Sequence, residues 1–159
     1  MLGALRRFLN DKHPTRRAAL AVLRGVFAAM FLAQSVVAGL LFTVLSLVDG
    51  GEQTAGTLVS QILLVLAAAQ LPLGVMLAYF TGKSGGKGAA LSATLLGAVI
   101  LSTPAWFLAF ALLIGSAELY LLLLLVVLVN AYGAGFLLCG KLAEWSLLPE
   151  PKAGLEPPS

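Results

Sequence analysis

The sequence predicts an all-α integral membrane protein: a four-helix transmembrane bundle, N-in/C-in, preceded by a short N-terminal amphipathic helix. Three observations predict it. Four apolar runs, at about 25–48, 57–80, 88–114 and 118–139, each hold 22 to 27 residues. None of them contains Asp, Glu, Lys, Arg or His between its ends. Once the runs are drawn through a bilayer, all ten Lys and Arg residues fall on one side. Arg6, Arg7, Lys12, Arg16, Arg17 and Arg24 precede the first run, Lys83 and Lys87 lie between the second and third, and Lys141 and Lys152 follow the fourth. The other two connections carry only Asp49, Glu52 and, at the edge of a run, Glu118. Basic residues near span ends are retained in the cytoplasm, so the pattern sets both the number of spans and their direction.

Each run is long enough for a hydrocarbon core about 30 Å thick, which takes roughly 20 helical residues. Lipid cannot satisfy backbone N–H and C=O groups, so the spans must be helices or a closed barrel. The ten-residue alternation of barrel strands is missing. The composition agrees: the 159 residues are 60% hydrophobic and 11% charged, with a mean hydropathy of +0.99. Soluble domains carry about 25% charged residues. Three divisions follow: a basic cytoplasmic segment over 1–24, a four-span membrane domain over 25–139 and a cytoplasmic Pro-rich tail over 140–159.

Leu2, Leu5, Phe8 and Leu9 recur at helical spacing with Arg6 and Arg7 between them, which reads as an amphipathic helix on the inner surface. A disordered basic tail is the competing reading. Pro14 ends this element, and Thr15 is placed to cap the next helix. The first apolar run is too long for a signal h-region of about 7–15 residues and reads as an uncleaved span. Arg24, at its inner edge, is expected to snorkel toward head groups. Asp49-Gly50-Gly51 marks a turn, and Thr54 or Thr57 a cap for the second helix. Pro72 should bend the second span and Pro104 the third. Ser102 and Thr103 stand ready to satisfy carbonyls freed by Pro104. Ser116 and Glu118 supply a cap and a negative charge at the start of the fourth helix. Tyr79, Phe80 and Trp145 suit the inner interface. Residues 149–159 hold four of the seven prolines and are expected to be disordered.

A net charge of +3 is compatible with nucleic acid, but these cations line an inner membrane face, where anionic lipid attracts each by about 1 kcal/mol. No nucleic-acid partner is expected. The predicted head-group contacts are Arg6, Arg7, Arg16, Arg17, Arg24, Lys83 and Lys87. Gly-Lys-Ser at 82–84 is not a phosphate loop, because Leu77 stands where the motif needs glycine and no strand precedes it. It reads as a hairpin of about seven residues joining two spans. The single cysteine, Cys139, allows no intrachain disulfide. It reads as a small packing residue, with juxtamembrane palmitoylation as the alternative.

Intramembrane ionisable residues mark proton relays, voltage sensors and ion-coupled carriers, and these spans have none. A rotor proteolipid and a proton-coupled exporter are disfavoured on that ground. No His/Cys/Glu set suggests a metal or other cofactor, the one histidine, His13, lies outside the spans, and no nucleophile–base pair is visible. No catalytic residue is assigned. What remains is amides and small residues. Gln34, Gln70 and Asn130 lie at similar depth, roughly 14 Å from the inner ends of their spans. They are the candidates for an intramembrane polar contact or binding site, and helix–helix hydrogen bonding is the plainer reading. Small residues at four-residue spacing, Ala89/Ala93/Gly97, Ala131/Gly135 and Ser35/Gly39, allow close helix approach.

The expected function is a non-catalytic subunit or assembly factor of a larger membrane complex, in a bacterial-type inner or plasma membrane. Its expected partners are lipid head groups and other membrane subunits or further copies of itself. The alternatives are a small oligomeric channel or facilitator lined by the three amides, and a membrane enzyme acting on lipid substrates through Lys83, Ser84, Lys87 and Glu144.

Overall fold

A computed structural model describes residues 2–11, 14–48 and 57–148. The protein is all-helical over this range: α1 Leu2–Asn10, α2 Arg16–Val48, α3 Thr57–Lys83, α4 Gly86–Leu113 and α5 Glu118–Trp145. Helices α2 to α5 are long and apolar enough to cross a membrane. At 1.5 Å per residue the 33 residues of α2 reach about 50 Å, well beyond a hydrocarbon core. Its first two turns, with Arg16 and Arg17, therefore project past the apolar run. The Asp49 turn, Thr54, Glu52, Lys12, His13, Lys152 and the Pro-rich 149–159 segment lie outside the described residues.

Helix α4 is the centre of the bundle. It packs against α2, α3 and α5, and α5 also touches α2 and α3. α2 and α3 share at most a marginal contact, so they occupy the two far corners. Between helices in lipid, association rests on close packing rather than on a difference in polarity. The residues on the seams are accordingly small. On α3 the row Gly74, Ala78 and Gly82 is buried. It meets Leu101, Gly97 and Ala93 of α4 in antiparallel register. A Cβ on Gly82 would collide with Leu142 of α5 and come within 3.3 Å of Ala93 and Trp145. On α5 the row Ala131, Gly135, Cys139 and Ala143 is buried. A Cβ on Gly135 would enter the Phe27 ring of α2 and reach Leu101 at 3.0 Å. Cys139 is thus a packing residue at the core, 1% exposed. Two of the predicted small-residue pairs, Ala93/Gly97 and Ala131/Gly135, serve these seams. Ser35 and Gly39 do not: Gly39 is exposed and a Cβ there meets nothing, and the half-buried Ser35 bonds to Phe31 O of its own helix.

The turns depart from expectation for local reasons. The α3–α4 connection takes two residues, not seven, because Gly85 and Gly86 adopt φ of 80° and 82°, a region costly for any side chain. Helix α4 ends in a Schellman motif: Ser116 N–H donates to Ala111 O and Gly115 N–H to Leu112 O, with Gly115 at φ 66°. Ser116 is not a cap. Ala117 occupies that position, and the Ser116 side chain turns inward. Thr15 does cap α2, accepting from Ala18 N–H at 3.3 Å. Pro72 and Pro104 both lie inside unbroken helices. The Ser102 and Thr103 hydroxyls bond to the Val99 carbonyl, at 2.9 and 3.3 Å, not to the Ile100 carbonyl that Pro104 leaves without its donor.

Candidate functional site

The basic residues gather at one end of the bundle. Arg16 at the start of α2 pairs with Glu144 near the end of α5 at 2.6 Å, and Lys141 approaches the other oxygen of Glu144 at 3.5 Å. At the same end the Tyr79 and Trp145 rings meet edge to face at 4.8 Å. Arg6, Arg7, Arg16, Arg17 and Lys83 are exposed there, while Lys87 and Arg24 are half-buried.

Helix α1 docks on this end through Phe8, 4% exposed, which joins the core containing Leu23 and Ala90. Lys87 Nζ donates to the carbonyls of Leu9, at 3.5 Å, and Asp11. A cation at the carbonyl end of a helix opposes the partial negative charge there. Ala4 and Leu5 border a groove of about 230 Å³ with Ala21, Val22, Gly25 and Val26. Helix α1 therefore folds back along α2, anchored at its C-terminal end to α4. Its basic face, Arg6 and Arg7, is turned away from the bundle.

Mid-span, the three amides part company. Gln34 Oε1 on α2 accepts from Ser102 Oγ on α4 at 2.7 Å. A serine hydroxyl has one proton, and Ser102 also approaches Val99 O. Both contacts are satisfied when the Gln34 amide turns its nitrogen to Ser102, which then donates to Val99. Gln70 Oε1 on α3 is buried with no hydrogen-bond partner. Asn130 on α5 is exposed, and its Nδ2 donates to Val126 O of its own helix at 2.8 Å. Among the described residues no hydrogen bond joins any two of these amides. Their directions around the bundle differ.

No protein-family model, curated protein or solved structure matches this chain. The site must therefore be read from its own chemistry.

At the opposite end from the cations, two polar pairs tie α3 to the α4–α5 corner. Ser60 Oγ donates to Ser116 Oγ at 2.9 Å, both buried, and Gln61 Nε2 donates to Tyr120 OH at 3.3 Å. The sequence reading missed the first pair by assigning Ser116 to a cap. Among the described residues no three His, Cys, Asp or Glu side chains come together as a metal-binding group.

Proposed function

We propose that this chain is a non-catalytic integral membrane subunit or assembly factor of a larger membrane complex, with both termini and the basic end on the cytoplasmic side of a bacterial-type inner or plasma membrane. The orientation rests on the one-sided distribution of Lys and Arg. The observation that carries the subunit reading is Asn130. Its carboxamide is exposed near mid-span on α5, among Leu122, Val126 and Val129, which are themselves 47–63% exposed. The amide nitrogen is bonded to Val126 O, while no partner among the described residues serves the amide oxygen. In lipid an unpaired amide group is unfavourable, and a neighbouring helix is its usual remedy.

A second surface points the same way. On the outer half of α2, Gly39, Thr43 and Ser46 are exposed and Ser35 is half-buried, and the three hydroxyls bond to their own backbone. A partner backbone can approach such a row closely. The test is site-specific photo-crosslinking in the native membrane. A photoreactive residue at position 130 should join one defined polypeptide, whereas one at Leu66, on the exposed face of α3, should capture lipid. Asn130→Leu should abolish co-purification of that polypeptide in mild detergent. Unchanged co-purification, or recovery of the chain alone as a uniform homo-oligomer, would overturn the reading.

A further inference from the structure

Between the basic ends of α2 and α5 stands a cation, Arg24, with no anionic partner among the described residues. Arg24 lies eight residues into α2, about 12 Å along the axis from Arg16. Its guanidinium carbon stands 4.1 Å from the centre of the Phe136 ring on α5. Its Nε is buried and has no hydrogen-bond acceptor. The nearest carboxylate along α5, Glu144, is already engaged by Arg16 and Lys141. Arg16–Glu144 and Arg24–Phe136 define one antiparallel register, which brings Leu20 opposite Gly140 and Ala28 opposite Tyr132. Along that strip of α5, Gly133 and Gly140 are half-exposed, and a Cβ on either would meet nothing within 4 Å. Phe136 closes the seam beside Arg24, Tyr132 and Phe27 close it further along, and the open surface lies at its edge, over Gly133 and Gly140.

We propose that Arg24 and the adjoining edge of α5 bind an anionic phospholipid, with the headgroup phosphate on Arg24 and an acyl chain along the open strip at Gly133. The inference rests on the membrane reading of α2 to α5 but not on the proposed partner. Charge complementarity selects the occupant. With Nε buried, the two terminal nitrogens of the guanidinium form the edge left to meet two phosphate oxygens. Partial desolvation strengthens such a pair, and the depth of Arg24 places it where headgroup and acyl chain meet. Arg6 and Arg7, fully at the surface, offer only diffuse attraction to any anionic leaflet.

The test is native mass spectrometry of the purified chain in mild detergent, titrated with phosphatidylglycerol, phosphatidylcholine of the same acyl chains, and inorganic phosphate. The intact protein should bind phosphatidylglycerol about tenfold more tightly than phosphatidylcholine and should not retain inorganic phosphate. Arg24→Gln should erase that preference, while the Arg6→Gln/Arg7→Gln double variant should keep it. If Arg24→Gln does not fold, Gly133→Leu decides, since it fills the open strip without touching the core and should weaken phosphatidylglycerol binding about tenfold. Equal binding of the two lipids, an unaffected Arg24→Gln, an unaffected Gly133→Leu, or retention of inorganic phosphate alone would each overturn the proposal.

Discussion

Gly135→Ala tests the tightest seam of the bundle. The added methyl enters space held by Phe27 Cζ and Cε2, with Leu101 Cδ1 at 3.0 Å on the other side. Phe27 is 1% exposed and cannot simply swing away. Its ring is bounded by Phe31 at 5.7 Å and Tyr132 at 5.9 Å. Forcing a methyl into a filled core costs about 1–3 kcal/mol, a fall of roughly 5- to 150-fold in the folded-to-unfolded ratio. Gly133→Ala is the control: its Cβ meets nothing, and helix propensity alone should stabilise it by about 0.5–1 kcal/mol. The assay is reversible unfolding in mixed micelles with increasing anionic detergent, followed by circular dichroism. Phe27→Leu should partly rescue Gly135→Ala, with a coupling of about 0.5–3 kcal/mol in the double variant. Equal stability of Gly135→Ala and Gly133→Ala would refute the close approach of α5 to α2.

Three further outcomes are expected. Ser60→Ala should cost about 1 kcal/mol in the same assay, and adding Ser116→Ala should cost little more, since the pair is one buried bond. Gln70→Leu should leave stability unchanged or raise it by up to about 2 kcal/mol, because it removes a buried carbonyl that has no partner. A clear loss of stability would mean that this amide is satisfied. Lys87→Met should free the C-terminal end of α1 and speed tryptic cleavage at Arg6 and Arg7 several-fold in detergent, with little effect on global unfolding.

The spans and the basic end were legible in the sequence, because length, apolarity and charge position are one-dimensional properties. Azimuth was not. α5 is apolar on every face from Leu119 to Val129, since lipid and core ask for the same side chains, so no stripe told which way Asn130 points. Gly82 escaped notice for a related reason. It sits among Gly85, Gly86 and Gly88 in a stretch that reads as a flexible hairpin, and only the approach of Leu142 shows why glycine stands there. Ser116 misled in a different way. A serine before Glu118 looks like a cap, yet the preceding Schellman turn leaves Ala117 in that position and presents the hydroxyl to Ser60.

The separation of α2 from α3 bears on how the chain assembles as it leaves the ribosome. The first two spans to enter the bilayer are the two that scarcely touch each other. α2 therefore has no settled neighbour among the spans until α4 arrives, and its seam with Gly135 must wait for α5. The α3–α4 pair, joined by two residues and lined by Gly74, Ala78, Gly82, Ala93 and Gly97, is the first unit able to close. Insertion should thus proceed by capture of α2 onto a preformed α3–α4 pair, with α5 closing the seam last. In that interval α2 stays open to whatever helper or subunit first meets it.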